Sequence, residues 1–180
     1  TNHLVIHHNR LSQGIWEPGG EGVEEDAPTI PLRGKTIGLF GYGNINQKVH
    51  RLLANFPVKF AILRRSWKDR AEELPTPAKK YQLHQLDEML EIADILIIAA
   101  PLTEKTREVI SLRELQLLGS QGIIINVGRA DIIREQDLYT ALTEGIIARA
   151  ALDVWYIYHP KADVHERRYP YSHPFHQLPN

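Results

Sequence analysis

Five short apolar runs recur along the chain, at Thr36 to Phe40, Val58 to Leu63, Ile95 to Ala100, Gly122 to Val127 and Ile147 to Val154. Each has the length of a strand and is apolar at successive positions, the pattern of a strand buried on both faces of a parallel sheet. Between them the spacing becomes helical. Ile45, Val49, Leu52, Leu53 and Phe56 share one helical face, which predicts an amphipathic helix; such a stripe ordinarily faces the core. Leu86, Met89, Leu90 and Ala93 repeat the pattern, and Leu138, Ala141 and Leu142 mark a further helix. Ser111-Leu112-Arg113-Glu114 reads as a capping box, starting a helix that ends near Gly119. Parallel strands need crossover connections, and right-handed crossovers place helices on both faces of the sheet. The alternation therefore predicts an α/β fold, a doubly wound parallel sheet with helices on both faces.

The two ends depart from this rhythm. Residues 1–31 hold a weakly helical stretch and then a loop rich in Gly, Pro and acidic residues, which reads as a linker or interdomain segment. Residues 156–180 are dense in Pro, Tyr and His without a sustained period, and read as an irregular extension. A length of 180 residues suits one principal domain, here 32–155. The formal net charge of -1 gives no overall field for nucleic acid or an acidic membrane, so any polyanion must be held locally. The chain has no cysteine, hence no disulfide or thiolate metal site, in keeping with a cytoplasmic protein. No apolar run approaches the roughly 20 residues of a membrane-spanning helix. No helix face carries the His-Glu or paired-carboxylate spacing of a metal site.

The first strand leads into Gly41-Tyr42-Gly43-Asn44-Ile45-Asn46 and then directly into the first helix. In this setting a first glycine permits the tight turn and a second lets backbone N–H groups approach a pyrophosphate, while the helix N-terminus supplies positive partial charge. Gly41, Gly43, Asn44 and Ile45 are thus candidates to cradle the diphosphate of NAD or NADP, in a Rossmann-type domain. The alternative is a glycine-containing turn without a ligand. The third position, usually Gly or Ala, is Asn46, which is expected to crowd the helix against the strand. At the end of the second strand, where an acidic residue would bond the adenosine ribose of NAD, stand Arg64, Arg65 and Ser66. Guanidinium groups pair with phosphate bidentately, so this triplet predicts a 2′-phosphate and a preference for NADP. An ordinary charged edge shared with Lys68 and Arg70 is the competing explanation.

Three further stretches follow in order: Ala100-Pro101-Leu102-Thr103-Glu104-Lys105-Thr106-Arg107, Ile125-Asn126-Val127-Gly128-Arg129-Ala130 and Ala151-Leu152-Asp153-Val154-Trp155. With the glycine-rich turn they resemble the D-isomer-specific 2-hydroxyacid dehydrogenase family, over nearly the whole chain. The resemblance implies hydride transfer between NAD(P) and a small 2-oxo or D-2-hydroxy acid. It assigns to Arg129 the binding of the substrate carboxylate and carbonyl, a role a strand-end guanidinium can perform by bidentate pairing and by polarising the carbonyl. It gives Asp153 a contact on the nicotinamide side and lets Pro101, Thr106 and Val127 line the cofactor cleft. A surface ion pair for Arg129, a strand-end carboxylate for Asp153 and loop packing for the other three are the plainer alternatives.

The chain also departs from the family. The family's catalytic histidine, in a Pro-His motif, is expected beyond Asn180, and the glutamate that would raise its pKa is replaced by Tyr158. Ala130 stands where glycine is frequent. The chain is thus expected to be a fragment that binds cofactor without turnover, its catalytic domain lying outside it, and the resemblance implies a homodimer. A catalytically inactive nucleotide-sensing module is the alternative, favoured by Asn46 and Tyr158 and opposed by Arg129.

Overall fold

The structure, a computed structural model, describes residues 12–14, 31–67 and 73–180. The expected helical stretch and linker within residues 1–30, together with Lys68 and Arg70, lie outside the described residues apart from 12–14. The chain divides into two compact units, Thr1–Arg33 and Gly34–Asn180. The second contains the sheet and also residues 156–180.

The strands are β1 (Thr36–Phe40), β2 (Lys59–Leu63), β3 (Ala78–Tyr81), β4 (Ile95–Ile98), β5 (Ile123–Asn126) and β6 (Arg149–Leu152). They form one parallel sheet in the order β3-β2-β1-β4-β5-β6. The order in which strands are added across the sheet reverses between β1 and β4, the switch point outside which open α/β sheets bind ligands. The helices are α1 (Asn44–Leu53), α2 (Leu86–Leu90), α3 (Leu112–Leu118) and α4 (Glu135–Thr143).

Strand side chains alternate between faces with a period of two. Phe40, Ala61, Leu63, Leu96, Ile98 and Ile124 point into one apolar cluster with Met89 and Leu90 of α2, Leu115 of α3 and Leu138 and Ala141 of α4. Leu39 and Ile62 occupy the alternate positions and are buried too. On that second face the ring of His50, from α1, lies tilted against that of Phe60, their centres 4.0 Å apart. Burying one such aliphatic side chain contributes about 1.5–3 kcal/mol, so the two-faced burial of five-residue strands is what holds the sheet between its helices.

Helices α2 and α4 bury the residues their spacing predicts. Helix α3 starts where Glu114 accepts hydrogen bonds from the N–H and hydroxyl of Ser111, and ends at Gly119, whose φ of 80° suits glycine. Helix α1 reverses the expectation. Ile45, Leu52 and Phe56 are 51%, 75% and 49% exposed, while Asn46 and His50 are fully buried. The apolar stripe is therefore turned about 100°, one residue step, away from the buried face. The buried face can be polar because the Asn46 Nδ2 and both ring nitrogens of His50 find partners inside.

Strand β3 is the element that periodicity misses. Its sequence Ala-Lys-Lys-Tyr is short and exposes both lysines at the sheet edge, a common way of guarding an edge strand and one that leaves no apolar run. The extension after β6 folds back. Phe175 is buried beside Tyr139 and Trp155, the Tyr156 hydroxyl donates to the Ile133 carbonyl, and Asn180 donates to the carbonyls of Leu142 and Ala148. Burial raises the Tyr156 phenol well above its ordinary pKa, aided by Glu135 and Asp131, so it remains a donor. Among the described residues no helix is long and apolar enough to cross a membrane.

Candidate functional site

A cleft of about 1080 Å³ opens at the carboxyl ends of four neighbouring strands. It is lined by Phe40 to Gly43 after β1, Leu63 to Ser66 after β2, Gln82 to His84 after β3, and Ala100, Pro101, Thr103, Lys105 and Thr106 after β4.

The two glycines of the turn do different work. Gly41 has φ 84°, and a Cβ there would lie 2.8–2.9 Å from the backbone of Ala99 and Ala100. It is needed so that the loops after β1 and β4 can touch. Gly43, the N-cap of α1, has an ordinary φ of -95°, and an added Cβ would meet nothing within 4 Å. The space beside it is open at the end of a helix whose first turn holds no acidic residue. The first-turn N–H groups of a helix lack intrahelical acceptors and favour an anion, so this opening fits a phosphate.

Asn46, at the third position of the turn, is used by the fold rather than crowding it. Its Nδ2 donates to the carbonyl of Gly41 at 2.6 Å and lies 3.3 Å from that of Ile97, tying the helix to the ends of β1 and β4. Its Oδ1 is buried without a protein partner. One turn on, His50 stands between the Tyr42 hydroxyl and the Thr76 hydroxyl, each 2.8 Å from a ring nitrogen. Burial lowers the His50 pKa below its ordinary value, so the ring is neutral at pH 7 with one nitrogen donating and the other accepting. Tyr42 of the cradle is thus fixed from beneath.

The loop after β4 is held by Thr106, whose hydroxyl donates to the Pro101 carbonyl at 2.8 Å and accepts the Thr103 N–H at 2.8 Å. At the β2 end Arg64 is half-buried and Arg65 exposed, and both line the cleft with Ser66. Among the described residues no acidic side chain lines it. Gln82, His84 and Lys105 also line it and were missed from sequence. The first two depend on recognising β3, and Lys105 sits in a loop whose sequence carries no periodic signal.

The remaining candidates stand elsewhere on the same edge of the sheet. Asn44 and Ile45 form the first turn of α1 without lining the cleft. Val127, Arg129 and Asp153 follow β5 and β6 and are likewise outside its lining. Arg129 is exposed, and its Nη1 donates to the Gly128 carbonyl at 2.8 Å. Its turn is built by Asn126, buried, whose Oδ1 accepts the Gly128 N–H and whose Nδ2 donates to the Arg129 carbonyl. A Cβ on Gly128 would lie 2.9 Å from the Ala100 carbonyl oxygen, which brings this turn against the cleft's β4 wall. Asp153 is exposed, its N–H donating to the Asn126 carbonyl at 3.0 Å. Tyr158 is 70% exposed.

The strand order, the switch-point cleft and the open glycine cradle define a Rossmann-type dinucleotide-binding domain. The family model described as "D-isomer specific 2-hydroxyacid dehydrogenase, NAD binding domain" matches residues 1–180, and the chain belongs to that family. Glyoxylate reductase of Thermococcus gammatolerans is 38% identical over 122 residues, covering 68% of this chain and 35% of that protein. Glyoxylate/hydroxypyruvate reductase A of Arabidopsis thaliana is 34% identical over 145 residues, covering 81% and 42%. Among solved structures, an NADPH-dependent glyoxylate/hydroxypyruvate reductase from Sinorhizobium meliloti, in complex with NADP and malonate, aligns with a TM-score of 0.70 at 34% identity, covering 89% of this chain and 47% of that one. An NAD-dependent formate dehydrogenase from Staphylococcus aureus in complex with NAD aligns with a TM-score of 0.72 at 26% identity, covering 94% and 49%. The chain spans less than half the length of each of these relatives.

Proposed function

We propose that this chain is the cofactor-binding half of an NADP-preferring reductase that interconverts a small 2-oxo acid and the corresponding D-2-hydroxy acid. The observation that carries the reading is the open space beside Gly43 at the N-terminus of α1, continuous with a cleft whose β2 wall offers Arg64, Arg65 and Ser66. The backbone at Gly43, Asn44 and Ile45 would hold the diphosphate, and the β2 triplet the 2′-phosphate of the adenosine ribose. When bound, the nicotinamide ring supplies or accepts the hydride.

Arg129 is proposed as the anchor of the substrate carboxylate, with Asp153, Val127, Pro101 and Thr106 facing the nicotinamide side. Glyoxylate and hydroxypyruvate, named in the relatives, are the substrates to try first. Catalysis is proposed for the whole protein, because the residues that donate a proton and close over the substrate are not identified within this chain. The homodimer and the cytoplasmic location belong to the same proposal and rest on the family likeness and the composition alone. The sensor alternative gains no support from the relatives described above, each of which is named as a reductase or a dehydrogenase.

Calorimetric titration of the chain with NADPH and NADH tests the cofactor reading. Saturable binding that is tighter for NADPH is the expected result, and absence of binding by both would end it. Oxidation of NADPH against glyoxylate and hydroxypyruvate by the whole protein tests the reaction, with Arg129→Ala expected to raise the KM for the acid while leaving cofactor affinity in place.

A further inference from the structure

Beyond the end of β2 the chain builds a small device around Trp67. The indole Nε1 donates to the Tyr81 carbonyl at 2.9 Å, and the Arg64 backbone N–H donates to the same oxygen at 3.2 Å. One carbonyl at the end of β3 thus anchors both ends of the Arg64-to-Trp67 turn. The Arg64 guanidinium carbon lies 5.1 Å from the centre of the Trp67 ring, and the Lys80 ammonium 4.9 Å from it. Both distances are within the range of cation–π attraction, for which tryptophan is the best aromatic partner.

We propose that Trp67 is a positioning residue for cofactor selectivity: it holds the Arg64 guanidinium against the cleft so that a 2′-phosphorylated nucleotide is preferred to its unphosphorylated counterpart. The inference rests on the cofactor reading above. The five N–H donors of a guanidinium lie in its plane, so a cation held over an aromatic ring keeps in-plane donors for a bidentate phosphate contact. A free arginine must give up many rotamers to make that contact, whereas one already held on a ring gives up fewer. Trp67 is itself held by a backbone hydrogen bond rather than by another flexible side chain, so the ordering is transmitted from the sheet. Arg65, exposed and one position on, has no such ring partner among the described contacts and supplies charge more than direction. Lys80, on the edge strand, adds positive charge beside the same ring.

The test compares dissociation constants of the chain for four probes: NADP, NAD, 2′,5′-ADP and 5′-ADP. In the native chain NADP binds more tightly than NAD, and 2′,5′-ADP more tightly than 5′-ADP. Trp67→Leu lowers affinity for both 2′-phosphorylated probes about tenfold and shifts NAD and 5′-ADP less than about twofold. Arg64→Gln collapses the same ratios. Trp67→Phe keeps an aromatic face but loses the bond to Tyr81, and falls between. If Trp67→Leu fails to fold, shown by loss of its circular dichroism, Trp67→Phe is read by the same ratio and decides alone.

Ratios unchanged in the variants, or all four affinities falling together as simple structural damage would cause, overturn the inference. NAD bound as tightly as NADP by the native chain also overturns it, yet leaves the dinucleotide reading standing. Failure of all four probes to bind the native chain removes the cofactor reading itself.

Discussion

Along the carboxyl edge of the sheet, the stretch from β3 to β4 and the stretch from β5 to β6 carry different surfaces. The first is a cleft with walls from four strand ends, braced by Asn46, by the Tyr42-His50-Thr76 chain and by Thr106. The second presents Arg129 and Asp153 as exposed side chains on turns that the buried Asn126 organises. The difference separates two tasks. Holding an adenosine diphosphate needs a preformed pocket, which this domain supplies from its own backbone. On the function proposed above, a small acid beside a nicotinamide would need groups that approach from more than one side, and the Arg129 turn would be one of them.

The contrast breaks most completely at Gly41. Gly41→Ala forces an L-residue to φ 84° and drives its Cβ into the Ala99–Ala100 backbone. The expected cost is on the order of 3 kcal/mol in urea denaturation, together with loss of measurable NADP binding. Gly43→Val sharpens the comparison, because the new side chain enters open space at an ordinary backbone conformation. It should raise the NADP dissociation constant about a hundredfold while lowering stability by only about 1 kcal/mol, the ordinary cost of a β-branched residue at an N-cap. Equal stability losses in the two variants would mean that Gly43 serves the fold rather than the ligand.

On the other surface, Asn126→Ala leaves the Gly128 N–H and the Arg129 carbonyl without their partner. A stability loss of about 1–3 kcal/mol is expected, with binding of 2′,5′-ADP retained, since that probe reaches only the cleft. Loss of 2′,5′-ADP binding would join the two surfaces into one site.

The smallest effect lies at the opposite, amino edge of the sheet, where Lys35 Nζ and the Thr36 N–H both donate to Asp94 at 2.8 Å. Burial alone would raise the Asp94 pKa, but these bonds and the lysine charges outweigh it and hold the carboxyl below its ordinary value. A depressed folded-state pKa gives stability that is complete above the unfolded value of about 4 and is lost as pH falls through the folded value. Thermal melts should therefore drop on acidification below about pH 4. Asp94→Asn should remove that part of the pH dependence and leave cofactor affinity unchanged.

Much of the fold was legible because two-sided burial writes itself as continuous apolar runs in β1, β2, β4 and β5, while β6, half-buried at the other edge, still has a largely apolar run around Arg149. β3 was hidden because an edge strand of four residues, with two exposed lysines, has no such run. Losing β3 also concealed Gln82 and His84, and with them one wall of the cleft. Helix α1 was legible as a helix but not in its facing. Hydropathy locates a stripe, whereas Asn46 and His50 point inward because carbonyls accept from the Asn46 Nδ2 and hydroxyls pair with the His50 ring, which no periodicity records. That Gly41, Gly43 and the Arg64-Arg65-Ser66 triplet stand together at one cleft was readable because the strand-turn-helix context fixes where each position falls. Trp67 was not, since its part depends on a carbonyl and a lysine from the strand that was missed.

The central claim is that the loops after β1, β2 and β4 receive one dinucleotide. The most direct measurement is an amide chemical-shift titration of the chain with NADP. Saturating shifts at Gly41 to Ile45, Arg64 to Ser66 and Thr103 to Thr106, all giving one dissociation constant, are the result expected. Shifts confined to other surfaces, or none at saturating nucleotide, would contradict the account.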